Sequence, residues 1–61
     1  MLDLHTLQPG TRLRLAGGVV AEVVGAVDGE WVRVRLVEVP AGKGAVGDEE
    51  LCHATDIVEV L

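Results

Sequence analysis

The chain has 61 residues, with 10 acidic and 5 basic side chains and a formal net charge of −5. One small domain, at 1–61, is all that this length holds, and 49% hydrophobic with 25% charged residues is typical of a folded protein. The acidic balance argues against non-specific nucleic-acid binding, and no apolar run reaches the roughly 18 residues of a membrane span. The N-terminus lacks the pattern of a signal peptide, so we expect a soluble, cytoplasmic protein.

Cysteine and histidine content limits how so small a domain can be stabilised. Cys52 is the only cysteine, which excludes an intrachain disulfide and fits a reducing compartment. A structural zinc site needs about four Cys or His ligands, and the only histidines are His5 and His53, so we predict no metal and no cofactor. A domain of this size buries only roughly 60% of the surface that its unfolded chain exposes. Self-association is therefore the support that we expect.

Short β-strands are predicted along the chain, separated by glycine and proline turns. Twelve valines stand against one isoleucine, and no apolar helical period is present. Residues 1–8 are predicted as a lead that folds back as a strand or cap over an open end, with Leu2, Leu4 and Leu7 as its apolar side chains. Residues 9–61 form the rest of the domain. The predicted strands lie at 12–16, 19–27, 30–39, 48–53 and 57–60, with a loop at 40–47 and a single 3₁₀ turn at 54–56.

The Asp28-Gly29 pair predicts a two-residue hairpin turn between the second and third strands. With this turn Val27 lies opposite Glu30, and the register of both strands follows. One face then contains only apolar or small residues, which we predict as the core. Its cross-strand pairs are Val23 with Val34, Ala21 with Leu36, and Gly25 with Val32. The pairs of the opposite, outer face are Ala26 with Trp31, Val24 with Arg33, Glu22 with Arg35, and Val20 with Val37.

The first hairpin is predicted to have a three-residue loop at 16–18. A two-residue loop would place Leu15 on the outer face, whereas three residues keep it opposite Val19 on the core face. The same register pairs Leu13 with Ala21. Both leucines then contribute to the core, which favours the three-residue loop.

The outer face of this three-stranded part carries charged and apolar side chains together. Arg12 lies opposite Glu22, and Glu22 opposite Arg35, which predicts a salt-bridge row of little individual strength. The remaining members are the apolar Trp31, Val20, Val24 and Val37 and the basic Arg14 and Arg33. Tryptophan and arginine are enriched at interface hot spots, so one interpretation is a contact surface for a second copy or another protein. Two plainer interpretations stay open: single exposed apolar residues are ordinary, and the lead segment could cover Trp31.

The four arginines also allow a nucleic-acid platform, on which they contact phosphates while Trp31 stacks on a base. These arginines are Arg12, Arg14, Arg33 and Arg35. Glu22 at the centre of the face, the absence of Tyr and Phe, and the net charge of −5 argue against this interpretation.

Three further motifs have structural interpretations. The loop at 40–47 resembles a phosphate cradle but lacks the Gly-Lys-Ser/Thr order and a following helix, which favours a hairpin tip. The acidic residues 48–50 predict a solvated strand start, with Glu49 on the face opposite its two neighbours; a docking patch for a basic surface is the alternative. Cys52 and His53 point to opposite faces of a strand, so they cannot act together as nucleophile and base. Cys52 is predicted as a small buried group.

The order of these elements resembles an SH3-like small β-barrel over about residues 9–61. Pro9-Gly10 opens the first strand, a long meander and a glycine-rich loop follow, and a short turn precedes the last strand at 57–60. The resemblance implies an all-β, SH3-like small barrel of about five antiparallel strands. Bacterial interaction subunits and nucleic-acid-binding modules share this architecture.

In length and layout the chain is also similar to the plasmid-borne type of dihydrofolate reductase, a tetramer of such barrels. The likeness lies at 17–18, 23–25 and 31–34 in the meander and at 51–60 at the end. The stretch that lines the pore of that enzyme, Val-Gln-Ile-Tyr, falls on 49–52 of this chain, and no residue is the same. The resemblance therefore implies homo-oligomerisation without the reductase activity.

From the sequence we expect a non-enzymatic interaction module that self-associates or docks on a larger protein through the outer face. The expected interface consists of Trp31 as the anchor, Val20, Val24 and Val37 beside it, and Arg33 and Arg35 fixing the orientation. The alternatives are a nucleic-acid-binding barrel and a homo-oligomeric, ligand-binding or reductase-like barrel with a central pore. No catalytic, metal-binding or cofactor-binding residue is predicted.

Overall fold

The computed structural model describes residues 7–61, with only the backbone described at 26–28. It contains five β-strands: β1 Arg12–Leu15, β2 Val20–Asp28, β3 Trp31–Glu38, β4 Glu49–His53 and β5 Ile57–Val60. A 3₁₀ turn, Ala54–Asp56, joins β4 to β5 as predicted. The all-β class is confirmed, and each predicted strand end lies within one residue of the observed end. Valine-rich segments form strands here because β-branched side chains fit a pleated, half-buried surface.

The strands form one antiparallel sheet in the order β4-β3-β2-β1-β5. The sheet curls, because Cys52 of β4 and Leu13 of β1 lie in one core cluster although β3 and β2 separate them. β4 and β5 are its two edges, and no hydrogen-bonded ladder joins these edges within residues 7–61. The fold is therefore compatible with a small barrel, whereas the closed SH3-like barrel stays a prediction.

The β1–β2 hairpin has the predicted three-residue loop. The Leu15 N–H donates to the carbonyl of Val19 at 2.7 Å, and Leu13 pairs with Ala21. The two glycines of the loop have φ angles of 84° and 82°, a conformation that glycine adopts without steric cost. Leu13 is fully buried and Leu15 packs against the core, as the register argument predicted.

The β2–β3 hairpin follows the predicted register in its middle and departs from it at the turn. The three confirmed pairs are Ala21 with Leu36, Glu22 with Arg35, and Val23 with Val34. Nearer the turn, Asp28 pairs with Trp31 and Val27 with Val32, so the loop residues are Gly29 and Glu30. The predicted pairs that are wrong are Val27 with Glu30, Gly25 with Val32, and Ala26 with Trp31.

Turn geometry explains the shift in register. A type I′ turn at Asp28-Gly29 needs a positive φ at both residues, but within the described chain only glycines have one. Gly29, with φ 61°, occupies the first loop position, as a type II′ turn requires. The two extra residues of β2 are absorbed by a bulge between Val23 and Val27, which contains Gly25.

The core lies on the inner face of the curled sheet. Its buried members are Leu13, Val19, Ala21, Val23, Val32, Val34, Leu36 and Cys52. Leu7, Leu15, Val39 and Ile57 pack around them half-buried. Leu7 belongs to the predicted lead, whereas Leu2 and Leu4 lie outside the described residues. Within residues 7–61, no helix has the length and apolar character needed to cross a membrane.

Candidate interaction surface

The outer face of the sheet is defined most clearly by β3. Its residues alternate between exposed and buried, so Trp31, Arg33 and Arg35 lie on the face opposite the buried Val32 and Val34. This alternation follows from the two-residue period of a strand. Three of the predicted interface residues therefore share one exposed row along β3.

Trp31 is 46% exposed, and its ring lies edge-on against the imidazole of His53, with ring centroids 4.8 Å apart and an interplanar angle of 81°. The two residues are register partners on β3 and β4. Edge-to-face aromatic pairs of this kind are favourable. The indole is therefore held in a defined orientation while nearly half of its surface faces solvent.

His53 is in turn fixed by its own neighbours. The Thr55 N–H donates to His53 Nδ1 at 3.2 Å, and the Thr55 hydroxyl lies 2.9 Å from the same atom. Because the backbone N–H donates to Nδ1, the ring proton belongs on Nε2, which lies 3.4 Å from Glu30 Oε2. These contacts cap the 3₁₀ turn and tie it to the β2–β3 hairpin.

A hydroxyl, an imidazole and a carboxylate in this order also occur in hydrolase triads. Here the backbone N–H of Thr55 competes for the Nδ1 lone pair that a general base would offer to the hydroxyl. Glu30 is largely exposed, and the cleft of the inner face is lined by other residues. The Thr55–His53–Glu30 arrangement is therefore a cap, and it supports Trp31.

Leu51 is the residue that sequence reasoning missed. It is 58% exposed and is the register partner of Arg33 on the outer face. A signal was present, because a strand at 48–53 with Cys52 facing inward must turn Leu51 outward. Trp31, Arg33, Leu51 and His53 thus form two adjacent cross-strand pairs, which we call the Trp31 patch.

The predicted valines lie on or beside this face but expose little surface. Val20 stands between Val19 and Ala21, which both belong to the core cluster, so Val20 points outward; its neighbours nevertheless leave it only 9% exposed. Its register partner is Glu38, because of an irregularity after Val20, and the predicted pairing with Val37 is wrong. Val24 and Val37 are half-buried. Among the described side chains of β2, β3 and β4 on this face, the large exposed apolar ones are therefore Trp31 and Leu51.

Four charged residues cross the outer face in one row. Arg12 pairs with Glu22, Glu22 with Arg35, and Arg35 with Glu49, so the predicted register of the row is confirmed and extends to β4. The predicted salt bridges of Glu22 with Arg12 and with Arg35 do not form, and within the row only Arg35 and Glu49 are an ion pair. The Arg35 guanidinium lies 3.5 Å from Glu49 Oε2, and both side chains are about half exposed. We call Arg12, Glu22, Arg35 and Glu49 the charged row. Its signs alternate from β1 to β4.

The same pairing bears on the nucleic-acid interpretation. Arg14 contacts Glu59 of β5 at 3.6 Å, Arg35 contacts Glu49, and Arg12 faces Glu22 in register. Three of the four arginines therefore stand beside a carboxylate, which repels a phosphate backbone and reduces the charge available for counterion release. The face resembles a salt-bridged protein surface more than a phosphate-binding one.

A cleft of about 190 Å³ lies on the inner side, between β4 and the β1–β2 hairpin. Val34 and Leu36 are among its apolar lining residues, and Lys43, Glu50 and Asp56 are its charged ones. Glu50 faces inward, opposite Val34, while Glu49 faces outward, as predicted for the acidic strand start.

Cys52 also lines this cleft and is buried, as predicted. Desolvation by burial, with the nearby charges of Asp56 and Glu50, raises the pKa of the Cys52 thiol from 9.0 to about 11. The thiol donates weakly to the His53 carbonyl at 3.4 Å. A protonated thiol is a poor nucleophile, so Cys52 acts as a packing group at neutral pH.

The fold thus defines a small all-β protein with an open, curled five-stranded sheet and an exposed aromatic patch on its outer face. A scan against protein-family models, a search of the curated proteins and a search of the solved structures each find no match. The resemblances to SH3-like barrels and to the plasmid-borne reductase remain sequence-based predictions.

Proposed function

We propose that this chain is a non-enzymatic protein-interaction module that binds a second copy of itself through the outer face of its sheet. The observation that carries the proposal is the Trp31 patch. Trp31 is 46% exposed beside Leu51 at 58%, and His53 holds the indole in place. An oriented tryptophan with an adjacent leucine and arginine is a typical composition for the centre of a protein interface.

The size of the core supports a partner of this kind. The core cluster has eight buried residues, and four of them are valines of β2 and β3 or the hairpin before β2. A domain with so little buried surface is marginally stable alone, and association with a second copy adds buried apolar area. The charged surroundings of the Trp31 patch keep it soluble before association occurs.

The test is the solution mass, measured by light scattering after size exclusion over a dilution series. We expect the wild-type chain to exceed the monomer mass at the concentrated end. Trp31→Ala should raise the dissociation constant at least roughly tenfold, because removal of a hot-spot tryptophan commonly costs 2 kcal/mol or more. The far-UV circular dichroism of the variant should stay that of the β fold.

Val46→Ala provides the matched control. Val46 is 68% exposed and lies in the loop between β3 and β4, outside the strands that form the outer face. Its removal should leave the dissociation constant unchanged. A wild-type chain that is monomeric at every concentration contradicts self-association, and equal effects of both substitutions contradict the role of Trp31.

A further inference from the structure

The charged row is complementary to itself when it is reversed, and from this we infer the symmetry of the dimer. We propose that two copies pack outer face to outer face about a two-fold axis that runs parallel to the strands, between β2 and β3. This inference rests on the proposed self-association and adds to it the residue pairs across the interface.

The argument starts from the order of signs. From β1 to β4 the row reads Arg12, Glu22, Arg35, Glu49, which is plus, minus, plus, minus. Neighbouring strands lie about 4.8 Å apart, so the four charges are evenly spaced across the sheet. A row with an even number of alternating signs becomes its own complement when its direction is reversed.

A two-fold axis along the strands performs this reversal. The rotation places the outer face of the second copy against that of the first and reverses the order of its strands. Each residue keeps its position along the strand direction. Glu22 then faces Arg35 of the partner subunit, and Arg12 faces Glu49 of the partner subunit. Every charge of the row meets its opposite, and no like charges are opposed. Such complementarity fixes the orientation of an interface more than its strength.

The curl of the sheet decides which of these pairs are central. Because the sheet wraps its inner face around the core, the outer face is convex and its middle strands approach the partner first. The middle pair, Glu22 and Arg35, therefore lies nearest the axis, and Arg12 and Glu49 lie farther from it. Arg12, Arg35 and Glu49 are exposed on this face, and Glu22 is half-buried.

The apolar neighbours of the row fit the same axis. Val37 follows Leu36 on β3 and lies near the level of Val20 on β2, so the reversal sets Val37 against Val20 of the partner subunit. Trp31, about 13 Å along β3 from Arg35, comes to the level of the partner subunit's Asp28, next to the turn of its hairpin. The anchor of the proposed function and the charged row therefore belong to one interface.

Charge reversal in separate chains tests these pairs. Arg35→Glu places like charges at the two central contacts of its own homodimer, and so does Glu22→Lys. Each variant alone should raise the dimer dissociation constant at least about tenfold, which corresponds to roughly 1.4 kcal/mol. In an equal mixture of the two variants, every row contact is again between opposite charges, so a heterodimer should form. Native mass spectrometry distinguishes it from either homodimer.

A salt bridge beside the row supplies matched controls. Arg14→Glu and Glu59→Lys make the same changes in charge on an exposed ion pair of β1 and β5, and the reversal sets no residue of the charged row opposite either of them. Each control variant should dimerise like the wild-type chain, and mixing them should change nothing. Circular dichroism checks that every variant folds.

The pair farther from the axis gives a second, independent test with Arg12→Glu and Glu49→Lys. Their mixture should also restore a heterodimer, so the inference stays testable if a central variant fails to fold. If the wild-type chain dimerises through Trp31 but the mixtures show no recovery, the symmetry is wrong and the proposed function stands. A wild-type chain that never associates overturns both.

Discussion

At the scale of single residues, the neighbours Cys52 and His53 of β4 have different roles because their side chains point to opposite faces of the sheet. Cys52 faces the core and has a raised thiol pKa, while the adjacent His53 faces outward and holds Trp31. The sequence predicted both directions from the period of a strand. It could not predict the contact of His53 with Trp31, because that contact depends on the register of β3 against β4, which no turn fixes: residues 39–48 separate the strands.

The raised pKa of Cys52 predicts how stability depends on pH. Below pH 9 the thiol is protonated in both the folded and the unfolded chain, so it has no effect. From pH 9 the unfolded chain releases this proton, whereas the folded chain retains it until about pH 11. The folded state then binds more protons, so the free energy of unfolding falls as the pH rises through this window.

Urea titrations at pH 8 and pH 10 check this expectation. The wild-type chain should lose more stability between these two pH values than Cys52→Ala does, because the variant lacks the ionising thiol. Equal losses in both proteins would assign the alkaline destabilisation to other groups.

At the scale of elements, what the sequence predicted depended on how strongly a turn constrains the chain. The three-residue loop of the first hairpin was predicted correctly because only that length keeps Leu15 in the core. The second turn was predicted one residue too early. The bulge at Gly25 adds two residues to β2, so inward-facing and outward-facing positions alternate in the same way before and after it, and the alternation does not show that the register has shifted. A bulge leaves no apolar or polar pattern of its own, so the sequence did not reveal it.

The two glycines of this hairpin should respond differently to substitution. Gly29 has φ 61° and no atom near the place of a Cβ, so Gly29→Ala should lower the free energy of unfolding by about 1 kcal/mol through backbone strain alone, and Gly29→Asn by less. Gly25 has no such φ, and a Cβ there would meet Arg33 Cδ at an ordinary 3.6 Å. Gly25→Ala should therefore be neutral or stabilising.

Thermal and urea unfolding of the three variants measures this difference. Destabilisation by Gly25→Ala that matches that of Gly29→Ala would show that the bulge needs a glycine as much as the turn does. Gly29→Asn separates strain from loss of flexibility, because asparagine tolerates the left-handed region better than alanine does.

At the scale of the whole molecule, the small core and the open sheet are the features from which we propose association. The sheet has two unpaired edges in the described chain, and the inner face carries only one small cluster. The sequence indicated this shortage from length alone, and it led us to propose the outer face as a contact surface. It overestimated the valines, whose exposure depends on how neighbouring side chains cover them, and this cannot be read from a strand pattern.

Association predicts that the melting temperature depends on protein concentration. If only the folded chain forms dimers, a tenfold increase in concentration should raise the melting temperature by roughly 5 °C for a protein of this size. Trp31→Ala should abolish most of this dependence, and Val46→Ala should preserve it. Differential scanning calorimetry over a hundredfold range of concentration measures the effect. A melting temperature that is constant for the wild-type chain would contradict a dimer of only folded chains.

The bulge of β2 has a consequence for how this chain tolerates changes in length. It adds two residues to one strand, and because side chains alternate with a period of two, an even insertion leaves the facing of every later residue unchanged. The segment at 24–26 is thus a place where the hairpin can lengthen or shorten in steps of two while the core and the outer face keep their composition. Insertion or deletion of one residue would move every side chain between the bulge and the turn to the opposite face of the sheet. The bulge is therefore the position at which related chains of different length would be expected to differ.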